Sequence, residues 1–188
     1  MKEIVINERE NENLYLIFDI EDKDDVYNFD KQVNEKEIVR FIVYSLNNGY
    51  KKEINLSFIQ NKNTCVSCDI RCLCHNGAYT NINICNSVLK EQTNTICEQR
   101  VQGIIMDANS KIKVIPQLRT NNNVTNSSHE VNIGYINPEH LFYLMSRGLT
   151  KGEATNVIVS GMFSIERKEL IDSEEAKKLD AALKTVLN

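Results

Sequence analysis

The sequence predicts a mainly β protein, a single-stranded solenoid of stacked strands followed by a small α-helical subdomain. Three observations carry this reading. Strand-like runs recur along the first two thirds of the chain, with starts about 12–15 residues apart. Within them apolar and polar residues alternate with period two. After Asn137 the periodicity becomes helical. The predicted division is therefore 1–136 for the β domain and 137–188 for the helical subdomain.

The runs lie at 39–46, 53–60, 65–74, 80–87, 95–105, 110–118 and 124–134. Ile54, Leu56 and Phe58 share one face, with Glu53, Asn55 and Ser57 opposite. Ile82 and Ile84 alternate with Asn81 and Asn83, and Ile112 and Val114 with Lys111 and Lys113. The first set of each is expected inside. Two-residue hairpin signals are limited to Asn48-Gly49 and Asn76-Gly77, whereas an ordinary sandwich needs many. A solenoid with a narrow apolar interior and asparagine-rich corners fits better. On periodicity alone a face-packed sandwich is the alternative. The acidic run 21–25 reads as a solvated loop.

In the helical part, Asn137 is placed to cap a helix whose first position is Pro138. Leu141, Phe142, Leu144 and Met145 form its apolar stripe, and Gly148 after Arg147 suits a left-handed end. Thr150 and Glu153 make a capping box for a second helix, with Ala154, Val157, Ile158 and Gly161 expected inward. A third helix is expected after Asp172 or Ser173, burying Ala176, Leu179, Leu183, Val186 and Leu187.

Composition narrows function. The 188 residues carry 22 basic and 26 acidic side chains, a net charge of −4, and 41% hydrophobic residues. That balance allows a core and disfavours nucleic-acid binding and docking on an anionic membrane. The apolar run 14–18 is too short for a signal peptide or a membrane span, so the expectation is a cytoplasmic protein with reduced thiols.

Six cysteines raise the question of a metal. Cys65, Cys68, Cys72 and Cys74 follow a C-x2-C-x3-C-x-C pattern, with Cys85 and Cys97 beyond. On a strand, Cys68, Cys72 and Cys74 face one way, and positions two apart are separated by about 6.6–7 Å. One zinc ion joins sulfurs at most about 4 Å apart, so these cysteines are expected to fill the interior and share no ion. A metal or cluster site built from them is the alternative. His75 reads as a surface residue at a turn, and His140 as partly exposed. Residues 148–155 fail the spacing of a phosphate-binding loop, and neither a G-x-S-x-G elbow nor H-E-x-x-H is present.

The stretch 127–163 reads SSHEVNIGYINPEHLFYLMSRGLTKGEATNVIVSGMF. It resembles the terminal signature of the SufB/SufD family of iron–sulfur cluster assembly proteins: a histidine before a G/K-I pair, a helix ending L-F-Y-L-x-S-R-G, then a helix with E-A and I-V-x-G-F. The matches are His129, Ile136, Leu141, Phe142, Tyr143, Leu144, Ser146, Arg147, Gly148, Glu153, Ala154, Val159, Gly161 and Phe163. Lys113, Pro116 and Leu118 resemble the family's K-x-x-P-x-L strand. The resemblance implies a right-handed parallel β-helix with a carboxy-terminal helical subdomain. It also implies a SufC-like ABC ATPase docked on those helices, through Leu141, Phe142, Tyr143, Ser146, Arg147 and Glu153. A second SufB/SufD-type subunit, or another copy of this chain, would pair along the last strand through Val124, Thr125, Ser127, His129 and Val131. His129, Glu130 and Cys97 become the candidates for contact with a cluster.

Family members are usually more than twice this length, and their amino-terminal helical domain has no counterpart here. The cysteine of scaffold-type members falls near Val101, with Cys97 the nearest thiol, which favours a short, SufD-like member. The expected function is a non-enzymatic assembly subunit with no stably bound cofactor and at most a transient iron–sulfur cluster. A cysteine-based metal or redox sensor, and a metal-free structural adaptor for the ATPase, are the alternatives.

Overall fold

The computed structural model describes residues 1–121, 125–164 and 173–187, with residues 7–9 and 187 as backbone. Ten strands build two sheets: β1 (Lys2–Arg9), β2 (Glu12–Asp19), β3 (Asp25–Val33), β4 (Ile38–Asn48), β5 (Lys51–Gln60), β6 (Cys65–His75), β7 (Tyr79–Val88), β8 (Thr95–Ile105), β9 (Lys111–Thr120) and β10 (Thr125–Gly134). One sheet has the order β1-β2-β4-β6-β8-β10, the other β3-β5-β7-β9. Apart from the antiparallel β1–β2 pair, every pairing is parallel. The chain thus crosses between the sheets at each corner, making four coils of a parallel β-helix, and β10 begins a fifth.

Period-two alternation in register explains why this fold closes. Equivalent positions stack from coil to coil, as in Val43–Ile70–Val101 and Ile54–Ile82–Val114. Ile54, Leu56, Phe58, Ile82 and Ile84 are all buried in that interior, as expected. Outside, Asn83 donates to Asn55 at 2.6 Å and Asn55 to Asn28 at 2.8 Å, a ladder across three coils. The corners use left-handed residues, among them Asn63 and Asn94. Asn76 and Gly77 also have positive φ, yet this Asn-Gly and Asn48-Gly49 join successive strands that lie in different sheets and close no hairpin. The same positive-φ geometry that reverses a strand pair serves here to turn a corner.

Residues 2–33 carry three strands that the recurring alternation does not mark. The signals were short: Ile4 and Ile6 against Leu14 and Leu16, then Tyr27 and Phe29. The acidic run 21–25 is a loop only in part, because Asp25 opens β3 and accepts from the Met1 ammonium at 2.9 Å.

Among the described residues three helices follow: α1 (Pro138–Ser146), α2 (Lys151–Met162) and α3 (Glu174–Leu187). Asn137 caps α1 by accepting from Glu139, and the Thr150/Glu153 capping box opens α2. α2 and α3 pack on the outer face of the six-stranded sheet. Val159, Phe163, Leu179 and Leu183 join Leu14, Leu16, Phe18, Tyr44, Leu46 and Leu73 in a second hydrophobic cluster. The inward face of α2 is Ala154, Val159 and Phe163; the expected Val157 and Gly161 are exposed. The helix phase is set by Tyr44, whose ring lies 6.4 Å from that of Phe163. In α3 Ala176, Leu179 and Leu183 are buried and Val186 partly so, while Asp172 and the Leu187 side chain lie outside the described residues. Among the described residues no helix is long and apolar enough to cross a membrane.

Candidate functional site

β10 ends the six-stranded sheet, bonded to β8 alone. Its register places Thr125 beside Thr95, Ser127 beside Cys97, His129 beside Gln99 and Val131 beside Val101. These four therefore continue the inward row of β8. The four-stranded sheet ends at β9, so among the described residues it has no strand to set opposite β10. An inward-phase row left uncovered explains why His129 is exposed and Val131 keeps 40% of its surface. Val124, expected in the same row, lies outside the described residues.

Beneath this row runs a buried polar seam that sequence reasoning missed. Gln60 Oε1 accepts from Cys97 Sγ at 2.8 Å and from Asn86 Nδ2 at 3.0 Å. Gln99 Nε2 donates to Asn86 Oδ1 at 2.6 Å and to the Gln117 carbonyl at 3.1 Å. The readable signal was polar side chains in the inward phase of β5, β7 and β8. Burial, with a smaller push from Cys65, raises the Cys97 thiol to about 11, so it is neutral at physiological pH.

Glu130 points the other way. It accepts from Arg100 Nε at 3.2 Å on the outer face of the sheet. There Arg40, Ser67, Asp69, Glu98, Arg100 and Glu130 help line a groove of about 640 Å³. The three cluster candidates are thus divided: His129 exposed on the inward row, Cys97 buried two positions along the neighbouring strand, Glu130 on the opposite face. Among the described residues no three His, Cys, Asp or Glu side chains converge on a point that could hold an ion. A cluster at His129 would therefore need ligands from elsewhere.

The cysteines of β6 lie where the alternation puts them: Cys68, Cys72 and Cys74 are buried inward. The spacing argument against a shared ion fails for one pair, because the Sγ atoms of Cys72 and Cys74 approach to 3.8 Å. Backbone positions two apart set the Cα separation, but side chains on one face can lean together. The Cys72 thiol bonds to Cys74 and holds its partner's pKa below the ordinary thiol value, helped by Thr80 and Lys52 and opposed by burial. Cys72 itself is pushed well up by that bond and by burial.

α1 buries no residue. Phe142 is 74% exposed, Tyr143 57% and Met145 44%, with Leu141 half-buried. Arg147 closes the helix and its guanidinium lies 5.3 Å over the Tyr143 ring. Ser146 Oγ donates to the Tyr143 carbonyl at 2.7 Å. Glu153 is occupied in the capping box, where its carboxylate accepts from Thr150 at 2.8 Å. Of the residues expected to meet a partner, Phe142, Tyr143 and Arg147 are presented outward together. His75 is half-buried and not a plain surface residue, whereas His140 is exposed on α1.

Comparison with known proteins adds independent findings. The family described as SUF system FeS cluster assembly, SufBD core domain, matches residues 31–162. Over 69 residues the chain is 42% identical to an iron–sulfur cluster assembly SufBD family protein of Archaeoglobus fulgidus, covering 37% of this chain and 19% of that one. It is 35% identical over 85 residues to a protein of the same description from Methanothermobacter thermautotrophicus, strain Delta H, covering 44% and 21%. It is 40% identical over 67 residues to the iron–sulfur cluster assembly protein SufB of Bacillus subtilis, covering 36% and 14%. The matched segments span about a fifth or less of these relatives' own length.

Proposed function

The chain belongs to the SufBD core-domain family of the SUF iron–sulfur cluster assembly system, and we propose that it serves there as a non-enzymatic assembly subunit. In this reading α1 docks a SufC-like ABC ATPase, and β10 pairs with a second SufB/SufD-type subunit or a second copy. The nascent cluster is cargo passed through the complex and not a resident cofactor. The observation that carries the reading is α1, a helix that buries nothing of its own yet displays Phe142, Tyr143 and Met145. A monomer gains no stability from such a helix, whereas a partner groove does. Arg147 stacked on Tyr143 adds a fixed planar donor set suited to a carboxylate across the interface. Its favourable position at the helix end, worth about 0.3–1 kcal/mol, explains a cation there but not the aromatic display.

The test is co-expression with an ABC-type ATPase of the SUF system, followed by affinity capture. The wild-type chain should retain the ATPase, and Arg147→Glu should release it while lowering the melting temperature by no more than about 2–4 °C, whereas unfolding on that substitution would favour a capping role. Failure of the wild-type chain to capture it would refute the docking role. Anaerobic reconstitution of the captured complex then separates scaffold from metal-free adaptor. Visible cluster absorption that falls in His129→Ala supports the scaffold; a complex that binds ATPase but never develops absorption makes the chain an adaptor.

A further inference from the structure

At the corner where β6 meets β7, the interior is polar, as it is along the Gln60–Asn86–Gln99 seam at the other end of these strands. The inward row there runs Asp19, Ser45, Cys72, Gly103 from coil to coil. Cys74 lies one step further, with Asn47 beside it and Thr80 facing it. Cys72 and Cys74 are both fully buried, their Sγ atoms are 3.8 Å apart, and Thr80 Oγ1 lies 3.1 Å from Cys74 Sγ. Into the same pocket of polarity reaches Lys52, a cation with no side-chain exposure, bonded to Asp19 at 2.8 Å and to the Leu46 carbonyl at 3.0 Å.

We propose that Cys72 and Cys74 form a buried two-sulfur site for a soft monovalent cation, of which Cu(I) is the biological example. The separation suits a bridging ion with metal–sulfur bonds of about 2.3 Å or slightly less. Zinc takes four ligands, and among the described residues no third His, Cys, Asp or Glu joins the pair. Two thiolates with nothing further select a soft cation of low coordination number. Thr80 supplies a hydroxyl that donates to the bound sulfur. The charge also balances. Two thiolates around Cu(I) carry one net negative charge, which must be countered in so dry a place, and the Lys52 ammonium stands ready to counter it. Binding displaces two thiol protons; one passes to the Asp19 carboxylate, freeing Lys52 from it, and one leaves to solvent. No electron is transferred. Because both sulfurs are enclosed, ion entry runs through opening of the corner at His75–Ala78, and exchange of a bound ion is slow.

The experiment uses the intact chain, reduced and anaerobic, titrated with Cu(I) as its acetonitrile complex against a chromogenic Cu(I) chelator. One equivalent should be withheld from the chelator, and Cys72→Ser and Cys74→Ser should each lose it, while Cys85→Ser retains it. Copper retained equally by the Cys72 and Cys74 variants, or not withheld by the wild-type chain, overturns the proposal. Two readouts on the unaltered chain guard against variants that misfold. Copper X-ray absorption should report two sulfur neighbours and no nitrogen or oxygen, and a higher coordination number overturns the assignment. Alkylation in urea high enough to expose buried thiols, mapped by mass spectrometry, should show copper slowing modification of Cys72 and Cys74 more than that of the equally buried Cys68, and equal slowing or none also overturns it.

Discussion

Lys52 and Asp19 are the least expected residues of the interior. Both side chains have no exposure, and the carboxylate also accepts from Ser45 Oγ at 2.8 Å. A buried ion pair is a weak source of net stability, but an orphaned buried charge is costly. Lys52→Met should therefore destabilise the protein by about 3–5 kcal/mol, and the double substitution Asp19→Leu with Lys52→Met should recover most of it. Urea denaturation of the two variants checks this, and equal losses would show that the pair does not act as a unit. His75 supplies a pH dependence. Burial holds its imidazole below the ordinary value, with Asp107 and Asp22 pulling weakly the other way. Between about pH 6.5 and the lower folded value the unfolded chain binds more protons, so stability present above that window is lost as pH falls through it. His75→Gln should flatten the decline between pH 7 and about 5, and an unchanged slope would remove His75 as its cause. At this scale alternation told which way each cysteine points. It did not tell that two sulfurs lean together, because that depends on side-chain torsions chosen by the packing around them.

Among elements, the apolar join between α2 and the sheet is supplemented by one polar side chain that no motif marked. Arg71 Nη1 donates to the Met162 carbonyl at 3.1 Å and to that of Ser164 at 2.8 Å, and Nη2 to Asp69 Oδ2 at 2.9 Å. The carbonyls at a helix end have no partners within the helix, so a guanidinium there both satisfies them and suits the helix dipole. Arg71→Met keeps an apolar stem of similar reach while removing every donor and the guanidinium that lies 5.8 Å over the Tyr44 ring. It should cost about 1.5–3 kcal/mol and raise amide exchange in α2 more than in the β-helix. Uniform exchange changes across the chain would contradict a local latch. The caps of α1 and α2 were legible because they depend on residues two or three apart. The phase of α2 was not, since the contact that decides it joins Tyr44 to Phe163 across most of the chain.

For the whole molecule, the decisive feature is that the coil count ends on a half. β10 extends one sheet beyond the other, and among the described residues no further strand pairs with its outer edge. Exposed edges of this kind invite pairing with another chain, and a lysine on one discourages it. Val131→Lys should leave the urea midpoint within about 0.5 kcal/mol of wild type, because the site is 40% exposed. It should nonetheless weaken association with a second SufB/SufD-type chain or with itself, read by analytical ultracentrifugation. Unchanged association would place the interface elsewhere.

The sequence by itself determined the strand alternation, which residues face the interior of β5 and β7, and the helix caps, while the choice of solenoid over sandwich came from the resemblance of residues 127–163 to a known family. The alternation and the caps are local patterns, repeated at a fixed interval or completed within a single turn. Only the tertiary structure decided the three amino-terminal strands, the Lys52–Asp19 pair, the Gln60–Asn86–Gln99 seam and the separation of His129 from Glu130 and Cys97. Those features depend on which coil lies above which and on where the stacking stops, and the energy of a stacked contact is set by residues about thirty positions away.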